Sequence, residues 1–324
     1  MSLPTAPPLP PVPLARRLAH GLALTLLALA SAYFVYQLWT NLHHLPDIDW
    51  SGATLAVLLA SVLGTLLTVA LIALMWQCLL RDQGVHLGYR QALRIVAISQ
   101  FGKYLPGNIG HYTGRALLAA KEGVPTGKTV TTMAVEVVWT LAISSAFTVV
   151  ALLLYVDDLH EGLVDNTHPG YLALLGGLML FAPFFGVHLL NAVAPGLSRK
   201  LGKGDLVAAP RLGTALFVSA LMMLCFAILG SVLWLQATVV FGHPEVDWLQ
   251  LTLLFTLAWT AGYIVPGAPG GLGVREAVML KLLAPQLGIS VVLGLSLVMR
   301  LSSMGGDALA FALGWLDQRA QRTP

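Results

Sequence analysis

Three ionisable residues, Glu136, Arg300 and Asp307, fall within long apolar stretches, and Arg115 and Arg275 each follow a Pro-Gly break in such a stretch. A charge inside a membrane-spanning helix costs about 2.5–3.5 kcal/mol on insertion scales, so these groups face an interior and find partners. Pro106-Gly107 and Pro266-Gly267 interrupt helices, and each restarted helix presents unpaired N–H groups and a partial positive charge at its N-terminus. With Arg115 or Arg275 a turn or two further on, such an end suits a phosphate or another anion. Arg115, Arg275, Glu136, Arg300, Asp307, Asn108 and Glu276 are accordingly expected to contact a substrate. Pro106, Gly107, Gly110, Pro266, Gly267, Pro269, Gly270 and Gly271 form the breaks. Glu136 is expected to pair with Arg300 or with Arg115, and Glu276 to complement the start of its helix. Lys103 and Lys281 read as side chains that snorkel to the interfaces.

The elements that position these residues follow from composition. The 324 residues are 57% hydrophobic and 10% charged, against about 25% charged in soluble domains. Seven runs of 18 or more residues carry no Asp, Glu, Lys or Arg: 18–46, 50–80, 137–156, 166–198, 212–244, 248–274 and 282–299. A spanning helix needs roughly 20 apolar residues, whereas a barrel would show alternating segments of about ten. The fold class is therefore an all-α polytopic membrane protein, with about six full spans at 18–40, 52–80, 129–154, 171–194, 212–241 and 289–316. The first of these reads as a retained span rather than a cleaved signal peptide. Two segments, 91–123 and 249–287, are re-entrant hairpins: each has an apolar arm of about 15 residues, a Pro-Gly break and a second short arm. An arm of that length reaches about 22 Å, short of the roughly 30 Å hydrocarbon core.

Charge tests this topology. With the N-terminus cytoplasmic, the outer loops 41–51, 155–170 and 242–248 hold eight acids and no Lys or Arg, and thirteen of the eighteen basic residues fall inside. That is a strong positive-inside pattern, and both termini are expected on the cytoplasmic face. Residues 1–15 form a proline-rich disordered tail, 16–318 one transmembrane domain and 319–324 a short cytoplasmic tail.

The hairpins superpose at an offset of 160 without gaps. Gly102, Pro106, Gly107, Gly110 and Arg115 meet Gly262, Pro266, Gly267, Gly270 and Arg275. Three spans separate them, so they enter from opposite faces and form an inverted repeat, the construction of many secondary transporters whose sites lie near the midplane at broken helices. Other signals carry less. Gly123 to Thr129 has three residues between its glycines where a phosphate loop needs four, and nothing else suggests an ATPase. Cys78 and Cys225 sit in apolar runs and suggest neither disulfide nor metal site. Asp47, Asp49, Asp157 and Asp158 would suit a metal-dependent enzyme acting on a lipid-linked sugar, but acidic outer loops are what the topology itself produces.

Pro106-Gly-Asn-Ile-Gly110 with Arg115 and Glu136, and Pro269-Gly-Gly-Leu-Gly-Val-Arg-Glu-Ala277 with Arg300, resemble the two halves of the membrane region of lysylphosphatidylglycerol synthases, a flippase-like superfamily. The resemblance covers roughly residues 15–318. It implies translocation of a lipid between leaflets of a bacterial inner membrane. The soluble synthase domain of the two-domain members has no counterpart after the last span, so aminoacyl transfer is not implied. His111 and Tyr112 stand where many relatives carry a Glu beside the Gly, a departure expected to bear on headgroup choice. The expected partner is a phospholipid or a polyprenyl-phosphate-linked lipid. A lipid-modifying enzyme and a second copy of the chain are further candidates; no nucleic acid, cofactor or metal is expected. Two rival readings stand beside the transporter: an integral-membrane, glycosyltransferase-like enzyme, and a non-catalytic partner of a lipid-modifying enzyme.

Overall fold

The computed structural model describes residues 46–104, 110–155, 169–201, 204, 206–265 and 269–321, with isolated positions between 25 and 43. The expected proline-rich tail, nearly all of the expected span 18–40, the loop residues Asp157 and Asp158, and the break residues Pro106, Gly107, Asn108, Pro266 and Gly267 lie outside the described residues.

Ten α-helices and no strand occur among the described residues: α1 (Gly52–Asp82), α2 (Tyr89–Gln100), α3 (Gly110–Lys121), α4 (Thr126–Tyr155), α5 (Pro169–Val193), α6 (Pro195–Leu201), α7 (Leu212–Leu235), α8 (Trp248–Ile264), α9 (Val274–Leu287) and α10 (Ile289–Ala320). Local chemistry sets several of the ends. Ser51 accepts the Thr54 N–H to start α1, and Asp247 accepts the Gln250 N–H to start α8, as N-cap residues do. Gly288, at φ +81°, turns the chain from α9 into α10, a conformation that glycine adopts without a Cβ penalty. A π turn over Gln236–Val240 extends α7.

Five helices are long and apolar enough to cross a membrane: α1, α4, Leu174–Val193 of α5, α7 with its π turn, and α10. They correspond to five of the six expected spans. The chain is thus an all-α polytopic membrane protein. The hairpin arms behave differently. Helices α2 and α3 have 12 residues each, and α8 and α9 have 17 and 14. At 1.5 Å per residue they reach about 18 to 26 Å, and none alone matches a hydrocarbon core of about 30 Å. Within each pair the arms pack on one another.

Helix α10 shows which way each hairpin opens. At its C-terminal end, Asp317 pairs with Arg90 and Arg94 of α2, the mouth of the first hairpin. Arg94 also pairs with Glu122, just beyond α3, at 2.7 Å, and bonds Gln321. At its N-terminal end, Gly288 joins α10 to α9, the mouth of the second hairpin. One 32-residue helix is about 48 Å long, so the two mouths lie at opposite ends of the molecule and the two tips point toward each other.

Each hairpin has its own apolar core. Ala92, Ile95 and Val96 of the first pack with Ala73, Trp76 and Leu80 of α1. Leu254, Phe255, Leu280 and Leu283 of the second pack with Leu233 of α7 and Leu293 of α10. Repeat-related glycines let the arms of each hairpin close. A Cβ on Gly102 would sit 2.6 Å from the Gly110 carbonyl carbon, and one on Gly262 would sit 3.2 Å from the Gly271 Cα. The opposing atoms at Gly102 are all backbone and have no room to yield. Gly102→Ala is therefore expected to destabilise the purified protein by about 1–3 kcal/mol, the usual range for overpacking. Gly262→Ala should cost distinctly less. Thermal unfolding of both variants in detergent checks the ordering, and equal midpoints would contradict it.

Candidate functional site

The charged side chains arrive at one place because helical spacing puts each on an inward face. Arg300, Ser303 and Asp307 recur at three- and four-residue steps on α10, and His111 with Arg115 and Glu136 with Thr140 are i, i+4 pairs on α3 and α4. They meet at the hairpin tips, around a cavity of about 200 Å³. Its walls include Lys103, Tyr104, His111, Tyr112 and Arg115 from the first hairpin, and Trp259, Tyr263, Gly270, Gly271 and Arg275 from the second. Thr65 and Thr68 of α1, Glu136 and Thr140 of α4, and Arg300 and Ser303 of α10 close it.

The tips touch. The Tyr112 and Tyr263 hydroxyls are 2.8 Å apart and share a hydrogen bond between the hairpins. The ring of Tyr104, which ends the 3-10 turn Phe101–Tyr104, lies 3.7 Å from the Cβ position of Gly270. Gly270 and Gly271 adopt φ of +57° and +73° within the turn Pro269–Gly271, and the second arm then starts at Val274.

Three ionic groups lie at the cavity wall, with Glu276 and Asp307 set behind the lining residues they pair with. Arg115 Nη1 donates to Glu136 Oε2 at 2.7 Å, with the Arg115 guanidinium 5.5 Å from the Trp76 ring centre, within cation–π range. Glu276 is a hub: its Oε1 accepts from Arg275 Nη2 at 3.0 Å and from Arg300 Nε and Nη2 at 3.0 and 2.6 Å. Its Oε2 accepts the Gly273 backbone N–H at 2.8 Å. Asp307, wholly buried, receives the Tyr104 hydroxyl at 2.5 Å and Lys103 Nζ at 2.7 Å, both on Oδ2.

The structure thus resolves the alternatives for Glu136 in favour of Arg115, while Arg300 reaches Glu276 instead. Glu276 complements its helix start, as expected, and also takes two guanidinium groups. Lys281 is exposed, but Lys103 does not snorkel. Its arm is too short to bring it to an interface, and at that depth the nearest counter-charge is Asp307. Asn108 lies outside the described residues. Tyr104, Tyr263, Trp259, Thr65 and Thr68 are among the wall residues that the sequence did not single out, while Lys103 was read only as a snorkelling side chain and His111 and Tyr112 only through the resemblance. Lys103 and Tyr104 had a readable signal, since they fall inside the repeated pattern between Gly102 and Pro106. Asp47 and Asp49 are exposed and stand apart from the cavity walls.

Four cations, Lys103, Arg115, Arg275 and Arg300, face three carboxylates, Glu136, Glu276 and Asp307. A buried carboxylate without its partner would be costly, which explains why each one here has a cation. Among the described residues, Arg115 Nε, Arg275 Nε and Asp307 Oδ1, and His111 Nδ1 beside them, are buried without a hydrogen-bond partner. Two of them are N–H donors on the repeat-related arginines. Around the cavity the cations thus outnumber the carboxylates by one.

A search of curated proteins finds no match. The family model described as lysylphosphatidylglycerol synthase TM region matches residues 17–306. That match takes in both hairpins and every residue of the cavity wall, and by it the chain belongs to the lysylphosphatidylglycerol synthase transmembrane-region family.

Proposed function

We propose that this protein moves a phosphate-bearing lipid between the leaflets of a bacterial inner membrane, the headgroup passing through the cavity between the hairpin tips. One observation carries the reading. Broken helices that enter from opposite ends of the molecule converge on a cavity lined by Lys103, Arg115, Arg275 and Arg300, one cation more than the three carboxylates that pair with them. Family membership agrees with it. A cavity of about 200 Å³ has room for several waters, since about 10–15 Å³ of such space holds one. It admits a phosphate headgroup and leaves the acyl or polyprenyl chains in the surrounding lipid.

Arg115 and Arg275 bind the phosphate from the two hairpins, and Arg300 and Glu276 set the orientation of Arg275. Rocking of one repeat against the other opens the seat alternately to each face. The mouth of the first hairpin carries Arg90, Arg94 and Lys121, with Arg81, Lys128, Arg211 and Arg319 at the same end, so this end is the cytoplasmic one. Without an ATPase motif, movement is downhill or coupled to an ion. The protein acts as a transporter rather than an enzyme, and takes a phospholipid or a polyprenyl-phosphate-linked lipid.

Testing this requires variants that still fold. Arg115→Ala alone leaves Glu136 charged and buried without a partner, and should destabilise by about 3–5 kcal/mol. Arg115→Ala with Glu136→Gln removes the stranded charge, and thermal unfolding in detergent should recover most of that loss. Equal midpoints for the single and double variants would show that the pair is dispensable to the fold. The double variant, Arg275→Ala and the wild type then enter proteoliposomes with headgroup-labelled phospholipid. Dithionite should bleach well beyond half of the label with wild type and about half with either variant, as in empty vesicles. Wild-type bleaching in the double variant would remove Arg115 from the phosphate seat, and wild-type bleaching at the empty-vesicle level would remove the transport reading.

A further inference from the structure

A lipid whose headgroup sits between the hairpin tips keeps its hydrocarbon in the bilayer, so its chain must leave the cavity sideways. The cavity lies near mid-length of two long helices, at Glu136 and Thr140 of α4 and at Met222 and Phe226 of α7. A groove of about 420 Å³ lies between α4, α7 and α8, and all three of these helices also contribute to the cavity wall. The groove is lined by Phe147 and Val150 of α4, Met223 and Ala227 of α7, and Trp248 and Leu249 of α8, among others.

Groove and cavity are back to back. On α7, Met222 and Phe226 face the cavity, while Met223 and Ala227, one position further on, face the groove. The partition is one ring thick. The ring centre of Phe226 is 5.2 Å from that of Trp259 on the cavity side and 5.9 Å from that of Phe147 on the groove side.

The chemistry of the groove is that of a hydrocarbon seat. Its two side chains with polar hydrogens are both engaged: the Thr252 hydroxyl donates to the Trp248 carbonyl, and Trp248 Nε1 donates to Ser231 Oγ. A polar group entering here would lose its water without gaining a hydrogen bond, whereas a methylene chain loses nothing. Val150, Leu224 and Leu249 are exposed along the groove, so a chain can enter it from the bilayer.

Its direction follows from the helices. Trp248 is level with Ser231, and Met223 lies about 12 Å deeper along α7 at 1.5 Å per residue. One leaflet contributes about 15 Å of the hydrocarbon core, so the groove accommodates most of a chain. On α4, Val150 is about 21 Å beyond Glu136, and on α8, Trp248 is about 16 Å before Trp259. Both displacements point away from the cytoplasmic end. A headgroup at mid-depth with its chain toward the outer face has the orientation of a cytoplasmic-leaflet lipid raised by half a bilayer and not yet turned over. A lipid lowered from the outer leaflet would point its chain the other way.

We infer that the groove between α4, α7 and α8 holds a hydrocarbon chain of the lipid whose phosphate occupies the cavity, the chain end lying toward the outer face and the lipid straddling the Phe226 ring. This rests on the phosphate seat proposed above.

Ordinary boundary lipid also wets an apolar groove, and what sets a seated chain apart is dependence on the cavity. The wild type and the Arg115→Ala, Glu136→Gln double variant are placed in proteoliposomes with phosphatidylglycerol carrying a photoreactive diazirine, either at the chain end or beside the glycerol, and the labelled residues are mapped by mass spectrometry. In the wild type, groove residues should label more heavily than the exposed Leu178 and Phe181 of α5. The chain-end diazirine should reach Trp248 and Leu249, and the other Met223 and Phe147. In the double variant, groove labelling should fall to the α5 level. Ala227→Trp, which fills the groove from a half-buried position, should bind dihexanoylphosphatidylglycerol in calorimetry as the wild type does, yet lose both the groove labelling and the dithionite bleaching. Groove labelling equal in wild type and double variant would overturn the chain seat and leave the phosphate seat standing, and that comparison decides the matter even if Ala227→Trp does not fold. Wild-type bleaching by Ala227→Trp, or a groove left unlabelled because residues 18–40 of the chain cover it, would overturn it equally. A reversed labelling order would overturn the orientation. Failure of the wild type to bind dihexanoylphosphatidylglycerol would overturn the phosphate seat, and the chain seat with it.

Discussion

The constraint on which this structure depends is that every charge placed at membrane depth must find its counter-charge within the protein. Hydrocarbon offers neither water nor ions to a buried carboxylate. Glu136, Glu276 and Asp307 therefore dictate which helices approach one another. Arg115 ties α3 to α4, Arg300 ties α10 to α9, and Lys103 with Tyr104 ties the first hairpin's tip to α10. The apolar clusters supply most of the buried surface, but they are non-directional. Ion pairs and hydrogen bonds have directions, and they converge on the cavity.

The same constraint explains why the interruptions in the helices sit where they do. Broken backbone is tolerated at membrane depth only where protein or a water-filled cavity satisfies it. Glu276 meets part of this demand directly, accepting the Gly273 N–H while holding two arginines. Both hairpins also close their arms on a glycine, Gly102 against the backbone at Gly110 and His111, and Gly262 against Gly271.

Much of this was legible in the sequence because the signals were long or repeated. Long apolar helices, short interrupted arms and a gapless five-residue correspondence are properties of spacing, and spacing survives without knowledge of contacts. The arginines were legible as candidate site residues because both copies of the pattern end in one. Partner choice was not. Glu136 lies one turn from the repeat equivalent of Arg300, so symmetry alone left Arg115 and Arg300 level. The decision belongs to Glu276, a residue whose repeat equivalent is Ala116. Lys103 misled for a related reason: a lysine near the end of a short apolar arm looks like an interfacial anchor until the arm's depth is known. Tyr112 and Tyr263 do not correspond under the offset, so no repeat-based reading would have paired them.

These departures from symmetry bear on how an inverted repeat could work. A perfectly symmetric pair would bind the headgroup equally at both tips and give no reason for one hairpin to move before the other. Here the second hairpin carries its own neutralising carboxylate and packs in a core of large side chains, Leu254, Phe255, Met279 and Leu283. The first packs Ile95 and Val96 together with the smaller Ala92, Ala97 and Ala119; it takes its counter-charges at the tip from α4 and α10, and at the mouth shares Arg94 between its own Glu122 and Asp317. Displacing the second hairpin would disturb a large apolar interface and leave its internal ion pair intact. Displacing the first would disturb less apolar contact but separate charges, and charge separation is what an arriving anion or proton can offset. The moving element in the proposed cycle is therefore the first hairpin, and the second is the wall against which it works.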